Sequence, residues 1–371
     1  MMGLHLAYRT TPRLTQLLAA WDTQASRENP VAQHRWADIS LWPAARSATV
    51  AGSTAIEGNR LTPAQVGEVL AGGQVDGSRA DIREVLNYND ALDLANRAAL
   101  RSDFEWSTEL IRRLNGAVIA GLADDQRGEY RREPVTVGGI YQPPDWQRLP
   151  DLMAGLVEWL RRPTETHPLV FAGLAHLNVV SIHPWLNGNG RTARVVGSLA
   201  LMRSGIGAPE LLNVESEIRA SGPRYFAVLQ ETHGASYQPD DHAATPWLEY
   251  FAEVCVARLG ARNRVMSAIP HDLGLLFMEL SGEQRAGPQW PAILLSVRMA
   301  PVRTTWVAEA LGLSPARARA MLGAMSDAGW LMPLGDRRGR RYAPAPRLVR
   351  LDLRTPALMR RLLQAGAPEA E

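Results

Sequence analysis

The segment that decides the fold lies at residues 183–194 and reads His183-Pro184-Trp185-Leu186-Asn187-Gly188-Asn189-Gly190-Arg191-Thr192-Ala193-Arg194. Apolar runs at 169–180 and 195–202 flank it, and each run predicts a buried helix. Gly188 and Gly190 allow backbone torsions closed to other residues and let backbone amides approach a ligand closely. Those amides precede a helix N-terminus, where unpaired N–H groups and the helix dipole favour an anion. The segment therefore predicts an anion-binding loop between two buried helices.

Three ionisable side chains around this loop indicate its chemistry. Arg191 and Arg194 are three residues apart, so they share one helix face and can hold further phosphate oxygens. His183 stands at the entrance of the loop and can accept a proton from an incoming hydroxyl group. These residues predict a site for a nucleotide polyphosphate with its own general base. The alternative is an ordinary turn with a capping histidine, which requires all these features to coincide.

The segment resembles the signature of the Fic family, His-Pro-Phe-x-Asp/Glu-Gly-Asn-Gly-Arg-x-x-Arg. Fic enzymes mostly transfer AMP from ATP to a Ser, Thr or Tyr hydroxyl group of another protein. The resemblance implies that His183 is the catalytic base and that Arg191 and Arg194 hold the outer phosphates of ATP. It also implies that the α-phosphate is held by the loop residues Gly188, Asn189 and Gly190.

Two residues depart from the Fic signature. Trp185 replaces a phenylalanine, which is a conservative change for a side chain that anchors the loop in the core. Asn187 replaces the acidic residue that binds Mg²⁺ in the family. An asparagine oxygen can ligate a hard cation but brings no charge, so we expect Asn187 to bind Mg²⁺ or Mn²⁺ weakly. Slow transfer of AMP is the expected consequence.

A second motif, Ser53-Thr54-Ala55-Ile56-Glu57-Gly58-Asn59, precedes the signature. Ser53 and Glu57 are four residues apart and face the same side of a helix, which Gly58 and Asn59 would end. By itself the pattern is an ordinary helix end. It also resembles the inhibitory motif of Fic proteins, Ser/Thr-x-x-x-Glu-Gly/Asn. This resemblance implies that Glu57 pairs with Arg194 and takes the place of the terminal phosphate of ATP.

Residues 135–142 alternate apolar side chains around two glycines, which predicts a β-hairpin. A small surface hairpin without further role is one interpretation. The Fic resemblance implies instead a flap over the active site, along which the target segment adds as a strand. Main-chain pairing would then dock the target with little sequence specificity. The flap residues are Val137, Gly138, Gly139 and Ile140.

An aromatic pair follows the signature helix at Tyr225 and Phe226. With Arg224 it resembles a Fic segment whose aromatic residues help to hold the adenine base. The resemblance therefore implies that Tyr225 contacts the nucleotide. The alternative is that both side chains are ordinary core aromatics.

The C-terminal part predicts a short helix at 305–312, a tight turn with Ser314 as N-cap, a second helix at 316–328, and a glycine-centred hairpin at 330–342. This order resembles a winged helix-turn-helix domain. Arginines in the hairpin and at the start of the second helix suit phosphate contacts, so DNA is a candidate partner. Winged helices also serve as protein docking or dimerisation modules, so a homodimer is the other candidate. These arginines are Arg317, Arg319, Arg337, Arg338, Arg340 and Arg341.

Length and composition place limits on the class of protein. The chain has 371 residues, of which 46% are hydrophobic, so it can bury sizeable cores. No apolar run approaches the ~20 residues that span a bilayer, no secretory signal pattern begins the chain, and a single cysteine cannot form an internal disulfide. We therefore expect a cytoplasmic protein with no membrane partner. The net charge of +2 is too small to predict nucleic-acid binding by itself.

The predicted fold is mainly α, a Fic-type helical bundle with a β-hairpin flap and a small C-terminal winged-helix domain. We expect an N-terminal helical region with the inhibitory helix at 1–104 and a catalytic core at 105–265. A winged helix at 270–350 and a tail at 351–371 would follow. The predicted function is a protein adenylyltransferase that uses ATP, modifies a target protein or itself, and is autoinhibited by Glu57.

Three other functions remain open from the sequence. The enzyme could remove AMP from a modified protein, with Glu57 positioning a water molecule. It could transfer a different phosphate-containing group. It could also be a DNA-binding regulator that uses a catalytically weak Fic site to sense nucleotide.

Overall fold

The computed structural model describes residues 3–26, 35–123, 126–162, 166–204, 212–241, 243–283, 286–287, 289–299, 301–335 and 340–364. Within these ranges the chain is mainly helical, as predicted. The N-terminal helices are α1 (Pro12–Ala25), α2 (Arg35–Ile56), α3 (Pro63–Leu70) and α4 (Arg79–Ala99). The central helices are α5 (Thr108–Ile119), α6 (Leu149–Arg161), α7 (Pro168–Ile182), α8 (Asn189–Arg203), α9 (Val214–Ala220) and α10 (Pro223–His233).

A long helix leads from the central part into a small mixed region at the C-terminal end. The helices there are α11 (Thr245–Leu280), α12 (Trp290–Met299), α13 (Thr304–Leu311), α14 (Pro315–Asp327), α15 (Pro346–Val349) and α16 (Arg354–Gln364). The strands are β1 (Val302–Arg303), β2 (Leu331–Leu334) and β3 (Arg341–Pro344). They form an antiparallel sheet in the order β1-β3-β2, with Val302 opposite Tyr342 and Met332 opposite Ala343.

The two apolar runs that flank the signature form α7 and α8 at the centre of the molecule, as predicted. Nearly every residue of α7 is buried, because this helix is apolar around its whole circumference. The largest hydrophobic core surrounds α7 and α8 and extends to Trp247 and Leu259 on α11. The loop that joins α7 to α8 is therefore fixed at both ends by buried helices.

A second hydrophobic core lies around α12, α13 and α14. Helix α2 contributes to both cores. Ala44 and Ala45 are buried in the second core, whereas Val50 and Ala51 are buried in the first. Ser53 lies in the last turn of α2 and Glu57 directly follows the helix, so packing on two sides holds the segment that carries both residues.

The predicted division of the chain near residue 270 falls inside α11, which continues through Pro270. Proline removes one helical hydrogen bond. Met266, Ile269 and Leu276 on either side of it are buried in the second core, and this packing favours continuation of the helix. The two cores nevertheless meet on α11, between Leu259 and Val265. The division into domains remains a prediction.

The predicted hairpin at 135–142 is shorter than expected. It contains one antiparallel bridge, between Val137 and Tyr141, around a turn in which Gly138 and Gly139 have φ values of 58° and 74°. Prolines 134, 143 and 144 flank this turn and cannot donate to a strand ladder, which limits the pairing.

The predicted helix-turn-helix is observed as α13 and α14, and Ser314 caps α14 by accepting a hydrogen bond from the backbone nitrogen of Arg317 at 3.2 Å. Arg337 and Arg338 lie outside the described residues. Arg341 forms an ion pair with Glu68 on α3, so this arginine is engaged within the chain. The winged-helix identity of the region and its binding to DNA remain predictions.

Among the described residues, no helix has both the length and the apolar character that a membrane crossing requires.

The packing of α2 on α9 yields a stability prediction. A Cβ added at Gly52 would lie 2.9 Å from backbone atoms of Glu215 and Ser216, and backbone cannot move aside cheaply. Gly52→Ala should therefore lower the free energy of unfolding, measured by urea denaturation, by about 1–2 kcal/mol. Gly67→Ala is the matched control, because its Cβ would meet only the Ser47 hydroxyl oxygen at 3.7 Å. That control should gain up to about 1 kcal/mol from helix propensity. Equal stabilities of the two variants would contradict the tight contact.

Candidate active site

The loop between α7 and α8 has a backbone shape that its sequence dictates. His183 ends α7 in the left-handed region with φ 49°, and Gly188 precedes α8 with φ 80°. Glycine tolerates this region, whereas histidine adopts it rarely and at a cost in strain. A Cβ at Gly188 would also lie 2.7 Å from the Ile119 side chain. The loop therefore requires glycine at 188 for both torsion and space.

The side chain of Asn189 holds the loop closed. Its Nδ2 donates a hydrogen bond to the carbonyl oxygen of Trp185 at 2.8 Å, and its Oδ1 accepts one from the Trp185 backbone nitrogen at 3.1 Å. The indole of Trp185 is 1% exposed and anchors the loop in the core, as predicted for this position. Because the Asn189 amide is engaged in this way, contact with a ligand falls to the backbone amides that begin α8.

Asn115 and Arg131, which were not predicted as site residues, support the loop through hydrogen bonds to its backbone. Asn115 on α5 donates from Nδ2 to the Asn187 carbonyl oxygen at 3.1 Å and accepts from the Gly128 backbone nitrogen at 3.2 Å. Arg131 donates from Nε to the His183 carbonyl oxygen at 3.0 Å and contacts the Pro144 carbonyl oxygen. Asn115 had a local signal, because it lies on α5 next to the apolar residues Leu114 and Val118, whereas Arg131 lies outside any helix or strand and had none.

The His183 imidazole is neutral and available as a base. Its Nδ1 lies 3.2 Å from the Val180 carbonyl oxygen, an arrangement that suits an Nδ1–H donor and leaves Nε2 free to accept a proton. Burial lowers the pKa of His183 to about 4, opposed by the contact with Val180 and assisted by the charge of Arg131. At neutral pH the ring can therefore take a proton from a hydroxyl group.

Arg194 contacts both Ser53 and Glu57 of the N-terminal motif. Its guanidinium is buried and donates from Nε to the Ser53 hydroxyl oxygen at 2.8 Å. One terminal nitrogen donates to the Ser53 carbonyl oxygen at 3.0 Å and to Glu57 Oε1 at 2.8 Å. Burial opposes the charge, but Glu57 raises the pKa of Arg194 above its ordinary value. The structure thus brings both residues of the N-terminal motif onto this arginine.

The Glu57 carboxylate lies in the place where the loop favours an anion. A Cβ added at Gly190 would come within 2.5 Å of Glu57 Oε1, so the carboxylate sits directly over the first turn of α8. Burial by itself would raise the pKa of Glu57, but the charges of Arg194 and Arg191 bring the pKa below its ordinary value. Glu57 is therefore ionised and competes with a ligand phosphate.

Arg191 is held by two partners. It forms an ion pair with Glu84 on α4 and donates from its other terminal nitrogen to Asn187 Oδ1 at 3.0 Å. Asn187 thus offers one neutral oxygen that already accepts a hydrogen bond. Within the described ranges, no group of three His, Cys, Asp or Glu side chains could hold a metal ion. This donor set does not fit a resident divalent cation.

The aromatic pair is divided between core and surface. Tyr225 is 2% exposed, and its hydroxyl lies 3.1 Å from Nε2 of buried His176. Its ring packs among Trp247 and Tyr250, a placement that fits the core interpretation rather than a direct contact with adenine. Phe226 is 56% exposed and touches Tyr225 edge to face, so it is the accessible aromatic of the pair.

The flap is tied to the signature loop. Tyr141 donates from its hydroxyl to the Ser181 carbonyl oxygen at 2.7 Å, two residues before His183. Arg131 joins the carbonyl oxygens of His183 and Pro144. Ile140 at the tip is 61% exposed. The tip is therefore accessible while its base is fixed relative to His183.

Residues 105–201 of the chain match the Fic/DOC family. A protein adenylyltransferase Fic from Drosophila willistoni is 37% identical over 157 residues, which cover 41% of this chain and 31% of the relative. One from Drosophila persimilis is 36% identical over 247 residues, which cover 65% of this chain and 46% of the relative. The chain thus spans less than half the length of these curated relatives.

Two solved structures share the fold. A Fic family protein from Desulfovibrio desulfuricans G20 matches with a TM-score of 0.60 and 24% identity, covering 92% of this chain and 98% of that one. Fic-1 from C. elegans matches with a TM-score of 0.54 and 23% identity, covering 69% of this chain and 72% of the solved one.

The two neutral histidines make the folded protein sensitive to acid. Burial lowers the pKa of His176 to about 3 and that of His183 to about 4, whereas the unfolded chain binds protons near pH ~6.5. Their contribution to stability is therefore complete above pH ~6.5 and decreases as the pH falls towards ~4. Histidine-selective NMR should show both rings neutral at about pH 5.5. Protonation of the His183 ring near pH ~6.5 would contradict the neutral base.

Proposed function

We propose that this chain, which belongs to the Fic/DOC family through its domain at residues 105–201, is a protein adenylyltransferase that transfers AMP from ATP to a hydroxyl group of a target protein or of itself. The names of relatives that are 30–38% identical support this activity, since they are called protein adenylyltransferase Fic. The observation that carries the proposal is a neutral His183 beside a helix N-terminus whose two arginines are held by carboxylates.

The reaction follows from the placement of these groups. His183 Nε2 accepts the proton of the target hydroxyl while the hydroxyl oxygen attacks the α-phosphorus of ATP. A bond forms between that oxygen and the α-phosphorus, and the bond from the α-phosphorus to the oxygen that bridges to the β-phosphorus breaks. Pyrophosphate leaves with the negative charge, which Arg191 and Arg194 stabilise. The backbone amides at the start of α8 hold the α-phosphate.

Binding of ATP requires Glu57 to leave Arg194. The carboxylate and a terminal phosphate compete for one guanidinium, and both carry negative charge. Glu57 therefore inhibits the enzyme in its described conformation. Helix α2 positions Glu57 for this inhibition, because packing in two cores fixes the helix that Glu57 directly follows.

Removal of the inhibitory carboxylate tests the proposed activity. Glu57→Gly protein, incubated with α-labelled ATP, Mg²⁺ or Mn²⁺ and cell lysate, should place label on a lysate protein or on itself. Its rate should exceed that of the unaltered protein by roughly tenfold or more, since the charge that competes for Arg194 is gone. Glu57→Gln is the matched variant that keeps the shape and removes only the charge, and it should gain most of the same rate.

His183→Ala in the Glu57→Gly background is the blank, and it should carry no label. Label that persists without His183 would contradict its role as base. Absence of label with either metal would contradict the proposed transfer of AMP. Release of AMP from a modified protein that requires Glu57 would point instead to the reverse reaction.

Asn187→Asp places the usual acidic residue of the Fic signature at position 187 and tests how Asn187 affects the rate of AMP transfer. A carboxylate at 187 adds the charge that a hard cation prefers, so we propose that transfer becomes faster and more strongly dependent on Mg²⁺. The rate of labelling should be measured against Mg²⁺ concentration in the Glu57→Gly background. An unchanged rate and an unchanged Mg²⁺ dependence would contradict weak metal use by Asn187.

A further inference from the structure

The site contains a second carboxylate that the inhibitory motif does not include. Glu84 on α4 forms an ion pair with Arg191, the other arginine of the phosphate site. The side chain of Arg191 is 5% exposed and that of Glu84 is 14% exposed, so water screens this pair weakly. Each arginine of the site is therefore neutralised by its own carboxylate, Arg194 by Glu57 and Arg191 by Glu84.

The turn that ends α2 fixes Glu84 in this position. Asn59 donates from Nδ2 to Glu84 Oε2 at 2.8 Å and to the Asp81 carbonyl oxygen at 3.0 Å. Its backbone nitrogen donates to the Thr54 carbonyl oxygen at 3.1 Å, and its Oδ1 accepts from the Leu61 nitrogen at 3.1 Å. Asn59 follows Glu57 by two residues. One short segment therefore bears the first carboxylate and orients the second.

The orientation of Arg191 depends on this pair. One terminal nitrogen lies on Glu84 and the other on Asn187 Oδ1, so each terminal nitrogen already has a partner and the guanidinium is held in one orientation. Removal of Glu57 frees Arg194 but leaves Arg191 in place. A phosphate chain that binds Arg191 must then still share it with the partly buried Glu84 carboxylate, whose negative charge opposes binding.

We propose that Glu84 is a positioning residue that holds Arg191 against Asn187 and sets the affinity of the site for the outer phosphates of ATP, independently of Glu57. This inference rests on the proposed function, because it assigns the phosphates to Arg191. Glu84 acts through Arg191 and takes no part in the proton transfer. The two carboxylates form two successive barriers to a triphosphate, and release of Glu57 opens only the first.

The chemical difference between ATP and AMP isolates the effect of Glu84. AMP has no outer phosphates and does not need Arg191, so its affinity should be nearly the same with and without the Glu84 charge. A triphosphate should bind more tightly once that charge is removed. A general loss of structure would weaken both nucleotides together, so the ratio of the two affinities separates positioning from folding.

The experiment measures Kd by isothermal titration calorimetry for AMP and for α,β-methylene-ATP, which cannot transfer AMP. The full-length Glu57→Gly protein is compared with Glu57→Gly/Glu84→Gln. The second variant should bind α,β-methylene-ATP roughly five- to tenfold more tightly and AMP with little change. Unchanged or weaker binding of the triphosphate analogue relative to AMP would overturn the inference.

Two further variants complete the test. Glu68→Gln removes the carboxylate of another ion pair with an arginine, on neighbouring α3, and should leave the affinity ratio unaltered. If Glu84→Gln fails to fold, Glu84→Asp replaces it, since its carboxylate ends one carbon short of Arg191 and should give a smaller increase. If the Glu84→Asp variant has the same ratio of affinities for α,β-methylene-ATP and AMP as the Glu57→Gly protein, the inference is overturned.

The same titrations separate this inference from the proposed function. If Glu57→Gly protein binds neither nucleotide, the proposed function and the inference are both overturned. If it binds both nucleotides and Glu84→Gln leaves the affinity ratio unchanged, only the inference is overturned.

Discussion

The contact on which the site depends is the buried guanidinium of Arg194 with the Ser53 and Glu57 side chains. A buried cation is costly unless it is paired, and here the pairing partner comes from a different helix. Helix α2 can supply that partner because its residues pack in both hydrophobic cores. The position of Glu57 is therefore a consequence of how the whole N-terminal half is packed, and a ligand that replaces Glu57 must offer an equivalent negative charge.

The proposed catalysis and the proposed inhibition depend on the same electrostatic features. The left-handed torsions at His183 and Gly188 shape the backbone that joins the histidine to the amides at the start of α8. These amides favour a phosphate and, in its absence, the Glu57 carboxylate. Hydrogen bonds from Asn115 and Arg131 fix this geometry, so little reorganisation is needed once the carboxylate leaves.

The sequence predicted the elements whose signals are local. The apolar runs around the signature identified α7 and α8, and the Ser-Pro pair at 314–315 identified the start of α14. Glu84 was missed because its pairing with Arg191 depends on the relative placement of α4 and α8, which no local pattern encodes. Tyr225 could be assigned neither to the core nor to the nucleotide until the structure showed its burial. The flap is shorter than residues 135–142 because the flanking prolines cannot donate to a strand ladder, a limit that the alternation of apolar residues does not reveal.

The most direct test of the account is a crystal structure of Glu57→Gly protein with α,β-methylene-ATP bound. In that structure the terminal phosphate should occupy the position of the Glu57 carboxylate on Arg194, and the α-phosphorus should lie beside His183. A phosphate chain bound elsewhere would contradict it. The proposed competition would also be contradicted if the unaltered protein bound the terminal phosphate at Arg194 while Glu57 still contacted this arginine.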